Sequence, residues 1–413
     1  MSDVRPFRAL RPRDDLAGEI IAPPYDVLTE DEARTLAKNR KSFVRITRSE
    51  VDLPAGADPH SDEAYRKAKE NLDRFVADGW LQLDEDETYY LYAQTMGDHH
   101  QVCVLGGASV EEYDDGRIAK HEFTRPDKED DRTHHMDVLD AQVGLVFLAY
   151  VPTPALKALM DEGQREPAAW RVRTEDGVVH ELRPQPAAAV ARWRAAFAEV
   201  PRLYVCDGHH RSAAASRIHR LRHPTSEAAG LGAAPPLTAH FLVGMFPSDH
   251  LKILPYNRHV KDLHGLTPDG LLGAVQAIGW GVAAGGPPAP SARGQVSMYL
   301  AGTWYTLTPG ASLRSADPVK GLDASVLQDH LLAPVLGIDD PRRSKRIDFV
   351  GGIRGPEALV AAVDQHGGVA FSMYATGLDQ LFAVADAGQV MPPKSTWFEP
   401  KLREGVVIRP LSE

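Results

Sequence analysis

The densest group of residues that could do chemistry is a run of five consecutive residues after a short apolar stretch: Asp207, Gly208, His209, His210 and Arg211. Gly208 tolerates a sharp turn, and an Ala-rich helix follows it. The free N–H groups and dipole of a helix start attract phosphate, and Arg211 could add a bidentate fork. Asp207 could orient a histidine or hold Mg²⁺. The pattern predicts an anion site, while a plain cap with two surface histidines, or a metal held by the histidine pair, stays open.

A second group of ionisable residues lies between positions 121 and 135. As a functional site it would use Glu122 or Asp130 as a general base or Mg²⁺ ligand. Three cations would then surround phosphate oxygens: Arg125, Lys128 and Arg132. A solvated charged loop explains the same composition, so both interpretations stay open.

Two further segments could each present one functional residue. Pro23 and Pro24 stiffen the approach to Asp26, so this carboxylate could be held in a rigid loop, although a turn into a helix explains the same residues. Lys394 precedes Ser-Thr as in a phosphate loop, but the glycines of such a loop are missing. Lys394 therefore either reaches an active site or belongs to a packing tail.

The elements that must position these residues do not alternate regularly between strand and helix. Consecutive strand-like stretches favour an α+β fold, with mixed or antiparallel sheets and flanking helices, over a doubly wound sheet. The predicted strands are 42–46, 88–95, 102–110, 144–151, 203–206, 239–245 and 369–374. The predicted helices are 30–39, 62–77, 186–198, 211–222, 268–278, 325–332 and 356–366.

Two segments rich in Ala, Gly, Pro and Ser, 225–236 and 283–294, predict surface loops. The second loop predicts a boundary between two regions. Region 1–282 would carry the nucleotide-binding and catalytic residues, and a smaller α+β region, 295–413, would pack on it.

Composition narrows the class of protein. The 413 residues include 46 Lys+Arg against 57 Asp+Glu, a formal net charge of −11, which argues against binding along a nucleic-acid backbone. No apolar run approaches the ~20 residues of a membrane helix, and the first residues do not form a secretory signal. Two cysteines without a CxxC pair fit a reducing compartment. We therefore predict a cytoplasmic protein without nucleic-acid or membrane partners, and leave a homodimer open.

Four separated segments resemble, in this order, the family known as domain of unknown function 1015. They are IAPPYDVL at 21–28, HEFTRPDKEDDR at 121–132, CDGHHRSAAA at 206–215 and MPPKSTWFEPKL at 391–402. The resemblance spans nearly the whole chain. Cys206 and Ser212 stand where the family usually has Ala and Tyr, which affects the expected shape of the pocket.

The third segment is also similar to the phosphate-binding motif of the ParB/sulfiredoxin-like superfamily, whose members bind a nucleotide over a helix N-terminus. That superfamily includes kinases that phosphorylate free L-serine to O-phosphoserine. The resemblance implies a Mg²⁺-dependent kinase with ATP or ADP as donor and a small hydroxy amino acid, above all L-serine, as acceptor. It implies Asp26 or Glu122 as base and His209 as a further catalytic residue. The resemblance implies that Asp207, Gly208, His209, His210 and Arg211 bind the nucleotide phosphates. The residue patterns above add Arg125, Lys128, Arg132 and Lys394 to the predicted phosphate-binding residues and predict Asp207 and Asp130 as Mg²⁺ ligands.

Two alternative functions for the same predicted pocket stay open. One is a nucleotide-binding regulatory or interaction protein of the ParB-like type, in which nucleotide drives a conformational change. The other is a phosphohydrolase, which would release phosphate without any acceptor. Whether nucleotide is consumed separates the first of these from the enzymes.

Overall fold

The computed structural model describes residues 2–224 and 235–412. Most of the predicted loop 225–236 lies outside the described residues. By internal contacts the chain divides into two units, of which unit 1 comprises Met1–Leu251 with Pro400–Glu413 and unit 2 comprises Lys252–Glu399. Unit 1 is therefore discontinuous in sequence, and it contains three of the four segments listed above in full.

The strands of the described residues are β1 Val4–Arg5, β2 Leu10–Pro12, β3 Leu81–Leu83, β4 Tyr90–Met96, β5 His99–Ser109, β6 Ile118–Ala119, β7 Ala141–Gln142, β8 Val146–Tyr150, β9 Trp170–Arg173, β10 Val179–Pro184, β11 Leu203–Asp207, β12 His240–Pro247, β13 Lys252–Leu254, β14 Tyr256–Val260, β15 Trp280–Ala284, β16 Val296–Leu300, β17 Thr303–Pro309, β18 Ile347–Gly351, β19 Val369–Met373, β20 Trp397–Glu399 and β21 Arg409–Pro410.

The α-helices of the same ranges are α1 Ala17–Ile20, α2 Glu30–Leu36, α3 Val44–Thr47, α4 Asp62–Ala77, α5 Val110–Asp114, α6 Pro126–Leu139, α7 Pro154–Gly163, α8 Ala187–Ala198, α9 His209–Arg222, α10 Pro268–Ala277, α11 Asp323–Leu327, α12 Glu357–His366 and α13 Leu378–Asp386.

Unit 1 is built on a mixed sheet. Its strands follow the order β6-β11-β8-β12-β5-β4-β10-β9, and β1 also pairs with β5. Two neighbouring pairs, β6/β11 and β8/β12, are parallel, and the other pairs are antiparallel. Because parallel strands end at the same edge, the segments that follow β6 and β11 emerge side by side. Flanking helices bury apolar residues against the sheet, including Trp193 and Phe197 of α8 and Ala214 and Ile218 of α9.

Unit 2 contains an antiparallel sheet in the order β15-β17-β16-β19-β14-β18, with α10 and α12 packed against it. The two sheets with their flanking helices confirm the predicted α+β class. The division by contacts differs from the predicted boundary at 283–294. That segment lies between β15 and β16, which both pair with β17, so it is a connection within one sheet.

Helix α4 begins and ends at the predicted residues because its signals are local: the Ser61 hydroxyl accepts a hydrogen bond from the Ala64 N–H, and one face is apolar. The predicted strand 42–46 is wrong, since Val44–Thr47 is helical. There the β-branched side chains pack among Ile20, Phe43 and Phe75 in a core cluster, so burial overrides strand propensity.

Most of the charged segment 121–135 is helical rather than a loop. Helix α6 begins with Pro126 at its first position and has acidic residues in its first turn, both favourable at a helix start. Its buried face is polar: Asp131 accepts a hydrogen bond from the Tyr65 hydroxyl at 2.7 Å, and His135 bonds to the Ile46 carbonyl at 3.0 Å. Because the buried face is polar, apolar residues do not recur at helical spacing in this segment. The sequence pattern therefore did not predict this helix.

Candidate functional site

The parallel pair β6/β11 brings two of the singled-out segments together. Leu203 pairs with Ile118 and Tyr204 with Ala119, so the chain leaves both strands at the same edge of the sheet. His121 and Glu122 follow β6, and His209 opens α9 after β11 and the Gly208 turn. Residues 88 positions apart in sequence thereby become neighbours.

His121, Glu122 and His209 form a compact cluster. Each offers one ligand atom, and these atoms lie within 4.8 Å of one another. The His209 Nδ1 is 3.6 Å from a Glu122 carboxylate oxygen, and the two imidazole rings meet edge to face with centroids 4.7 Å apart. The histidines are buried, at 3% and 4% exposed, while the Glu122 side chain is 58% exposed. The cluster therefore has a buried side and a solvent-facing carboxylate.

Both histidines of this cluster favour the neutral form. Burial lowers the pKa of His121 to about 4, and burial also lowers the pKa of His209 well below its ordinary value. The Val205 backbone partly opposes the lowering of the His121 pKa, and the His121 Nδ1 is buried without a hydrogen-bond partner among the described residues. The His209 Nε2 is also buried without a hydrogen-bond partner within those ranges. Neutral rings with unused nitrogens are available as acceptors or ligands.

Asp207 ends β11 and holds the turn into α9. One carboxylate oxygen accepts the Gly208 N–H at 2.8 Å, and the other accepts from the Lys401 ammonium at 2.6 Å. Burial alone would raise the pKa of Asp207, but the charge and hydrogen bond of Lys401, with the charge of Arg211, outweigh it and hold this pKa well below its ordinary value. Asp207 thus places a lysine ammonium beside the first turn of α9.

Replacing Lys401 by Met is expected to lower stability in a pH-dependent manner. A carboxylate with a depressed pKa contributes stability above its ordinary pKa, about 4, and loses it as the pH falls through the depressed value. The difference in melting temperature between wild type and Lys401→Met should therefore be largest near neutral pH and shrink below pH about 4. Lys401→Arg, which keeps the charge, is the control. A difference that is constant across this pH range would contradict the assignment.

The turn itself depends on Gly208, whose φ is +85°. A Cβ at this position would meet no atom closer than 3.4 Å, so backbone conformation rather than space requires the glycine. Gly208→Ala is therefore expected to cost about 1–2 kcal/mol in the free energy of unfolding, measured by urea denaturation. Gly116→Ala, at a φ of +84° with open space around it, is the matched control for strain alone. Only Gly208→Ala should also weaken anion binding at the start of α9.

Arg211 faces the interior of unit 1. Its guanidinium donates to the Leu145 carbonyl and to the Glu404 carboxylate, both at 2.9 Å, and lies 5.3 Å from the ring centroid of Tyr25. Glu404, 2% exposed, also accepts the Tyr25 N–H at 3.2 Å. The guanidinium group that was predicted to bind phosphate thus already donates its hydrogen bonds within the protein. Through Glu404 and Tyr25, Arg211 connects α9 to the segment that carries Asp26.

Arg132 likewise lies in the interior. It pairs with Asp131 at 2.7 Å and stacks over the Tyr25 ring at 4.2 Å. Arg132, Arg211 and Glu404 help to line a cavity of about 30 Å³, which is enough for a water molecule or two but not for a nucleotide. This cavity is therefore not a nucleotide site.

The other predicted site residues are spread over several places. His210, whose pKa is lowered by burial, accepts the Arg125 N–H at 3.1 Å, so the starts of α6 and α9 meet. The Arg125 side chain pairs with Asp127 near the surface, and the charge of Lys128 acts on His210. Asp130 pairs with Arg217 at 2.7 Å.

Asp26 and Lys394 lie in different units. Asp26 is exposed in a short 3₁₀ turn, and its charge acts on Arg211 and Glu404. Lys394 belongs to unit 2, where its ammonium is 5.2 Å from the ring centroid of Tyr256. Its assignment to the phosphate site stays a prediction.

Sequence reasoning missed three residues of this site: His121, Lys401 and Glu404. His121 and Lys401 were part of quoted segments, but Glu122 and Lys394 were singled out instead. Lys401 and Glu404 pair with residues 194 and 193 positions away, so no local spacing could link them.

The residues predicted to hold Mg²⁺ do not fit that ion. Both carboxylate oxygens of Asp207 already accept hydrogen bonds, and Asp130 is paired with Arg217. Mg²⁺ prefers oxygen ligands in octahedral geometry and keeps several waters. Asp207 and Asp130 therefore do not make a Mg²⁺ site in this arrangement.

Comparison with known proteins agrees with the resemblance drawn from the motifs. A sequence profile of the family described as "Protein of unknown function (DUF1015)" matches residues 4–325. The chain belongs to this family. The DUF1015 match includes the segments at 21–28, 121–132 and 206–215, and the segment at 391–402 lies beyond it. No curated protein matches this DUF1015 chain.

Three solved structures are distantly similar to the DUF1015 chain. A free serine kinase in complex with AMP is 13% identical, and the match covers 72% of this chain and 86% of the kinase, with a TM-score of 0.33. SbnI with C-terminal truncation from Staphylococcus aureus is 13% identical over 74% and 87%, with a TM-score of 0.38. A conserved hypothetical protein from Pyrococcus furiosus is 12% identical over 74% and 95%, with a TM-score of 0.36. Similarity at this level assigns no activity to the chain.

No helix within residues 2–224 and 235–412 combines the length and hydrophobicity needed to cross a bilayer.

Proposed function

We propose that this DUF1015 protein is an ATP- or ADP-dependent phosphotransferase with a ParB/sulfiredoxin-like nucleotide-binding core. It transfers a phosphoryl group to the hydroxyl of a small amino acid, with L-serine as the first acceptor to test. The observation that carries the proposal is the turn from β11 through Gly208 into α9. A helix start and a lysine ammonium meet there, and two carboxylates act on residues of the first helical turn.

In this proposal the nucleotide phosphates bind at the start of α9. The 14-residue helix directs its first N–H groups and the positive end of its dipole toward the turn, which favours phosphate. Lys401, held by Asp207, adds an ammonium donor beside this turn, with its charge offset by that carboxylate. Phe123, 78% exposed beside Glu122, offers an aromatic face on which a base can stack. In this proposal Asp207 and Arg211 position the site, and Lys401 donates a hydrogen bond to a phosphate oxygen.

The acceptor end needs a carboxylate that takes the proton from the hydroxyl as the phosphoryl group is transferred. Asp26 and Glu122 both qualify by exposure, and each acts electrostatically or by contact on the first turn of α9. Mg²⁺ remains the predicted companion of the nucleotide, but no step is assigned to it because Asp207 and Asp130 are otherwise engaged.

The proposal is tested by ³¹P NMR of the full chain with Mg²⁺ and ATP or ADP, with and without L-serine and a panel of other hydroxyl compounds. A phosphomonoester signal that requires the acceptor supports a kinase. Phosphate release that is independent of every acceptor would replace the kinase by a phosphohydrolase. Nucleotide that binds in calorimetry without being consumed would favour the regulatory protein and overturn the enzyme.

A further inference from the structure

Two buried histidines and one exposed carboxylate meet where β6 and β11 end. The ligand atoms of His121, Glu122 and His209 lie within 4.8 Å of one another, and among the described residues no other group of three or more His, Cys, Asp or Glu is so placed. In tetrahedral coordination with bonds of about 2.1 Å, neighbouring ligand atoms are ~3.4 Å apart. The 3.6 Å between His209 Nδ1 and the Glu122 carboxylate is close to that spacing.

The ring nitrogens provide a second, independent observation. Of the two His121 nitrogens, Nδ1 is buried without a hydrogen-bond partner among the described residues. His209 also has an unsatisfied buried nitrogen, Nε2. Because the His209 nitrogen near Glu122 is Nδ1 and not Nε2, a cation at the cluster would satisfy only the unpaired His121 nitrogen, which is costly to leave buried without a partner.

We propose that His121, Glu122 and His209 form a binding site for a transition-metal dication of the Zn²⁺ or Mn²⁺ type. Two imidazoles and one carboxylate suit these ions, whereas Mg²⁺ prefers oxygen ligands only. Three protein ligands leave at least one coordination position for water or a substrate oxygen, as in catalytic rather than structural zinc sites. The exposure of Glu122 places that open position on the solvent side of the cluster.

The site has a consequence for the proposed function without depending on it. If Glu122 is a metal ligand, Asp26 is the remaining candidate for the base. A metal beside the first turn of α9 would also lie next to the predicted phosphate site. Metal affinity is measurable without nucleotide, so failure of the metal site and failure of the kinase are separable.

The test is isothermal titration of chelator-treated full-length protein with Zn²⁺, and separately with Mg²⁺, supplemented by the visible spectrum of bound Co²⁺. We expect one Zn²⁺ per chain, much weaker binding of Mg²⁺, and Co²⁺ absorption typical of a low-coordinate nitrogen–oxygen site. His121→Ala and His209→Ala should each weaken Zn²⁺ binding at least ~100-fold, since loss of a ligand should cost no less than the 10–100-fold reported for outer-shell partners.

Two further variants test the site even if a substitution of a buried histidine prevents folding. Glu122→Gln changes an exposed side chain and should weaken Zn²⁺ binding about 10- to 100-fold with an unchanged circular dichroism spectrum. His134→Ala removes a half-exposed histidine whose side chain faces Asp62 outside the cluster, and should leave Zn²⁺ binding unchanged. Absence of Zn²⁺ binding, or Zn²⁺ binding that survives Glu122→Gln at full affinity, overturns the proposal.

Discussion

Arg211→Met is expected to lower the free energy of unfolding by about 3–5 kcal/mol, because it leaves the buried Glu404 carboxylate without its cation. Burial raises the pKa of Glu404, and the charge of Arg211 opposes that rise. The two side chains are only 15% and 2% exposed, and the adjacent cavity of about 30 Å³ has room for a water molecule or two, so water replaces the lost cation only in part. Urea denaturation followed by far-UV circular dichroism measures the effect.

The matched control for Arg211→Met is the double variant Arg211→Met/Glu404→Gln. Removing both charges should recover much of the loss, because neither group is then buried unpaired. If Arg211 instead bound phosphate directly, as the motif first predicted, Arg211→Met would weaken nucleotide binding while changing stability by less than about 0.5 kcal/mol. That outcome would contradict its structural role.

Asp26→Asn is expected to lower the kcat of the proposed kinase by about 10²–10⁴-fold while nucleotide affinity stays within a factor of two or three. The amide keeps the shape of the side chain but cannot take the proton of the acceptor hydroxyl. Acceptor-dependent turnover by ³¹P NMR and nucleotide affinity by calorimetry measure the two quantities separately. Because Asp26 is exposed, the variant should fold normally.

The companion variant Glu122→Gln separates the two candidates for the base. If Glu122 is the base, its variant loses turnover at every metal concentration and Asp26→Asn remains active. If Glu122 is a metal ligand, added Zn²⁺ or Mn²⁺ should restore part of the lost turnover. Full activity of both variants would contradict the placement of the base at the start of α9.

The strand, turn and first helical residues at 203–222 could be predicted because each signal is local. An apolar strand, a glycine with positive φ and an Ala-rich helix follow one another in sequence. The direction of the Arg211 side chain could not be predicted, because it depends on Glu404, which is 193 positions away. A motif identifies the residue types near a site, whereas the fold decides which of them face the ligand and which hold the site together.

The cluster of His121, Glu122 and His209 shows the same difference between what the local sequence predicts and what the fold determines. The residue types of His121 and Glu122 suggested chemistry in the sequence. Their position beside His209, however, depends on the parallel register of β6 and β11, each of which has at most five residues. Helix α6 escaped prediction because its buried face is polar, and the strand predicted at 42–46 failed because its β-branched residues pack into a core as a short helix. Tertiary contacts decided each of these cases.

The discontinuity of unit 1 bears on how the protein is made. Lys401 and Glu404 belong to the segment 400–413, which returns to unit 1 after the whole of unit 2 has been passed along the chain. A ribosome synthesises the N-terminal part first, and domains generally fold as units during synthesis. While unit 2 emerges, Asp207 still lacks its lysine and Arg211 its buried carboxylate. The predicted anion site is therefore completed only after unit 2 has been synthesised, so a chain that stops within unit 2 would contain every residue of the Asp207–Arg211 motif but lack Lys401 and Glu404.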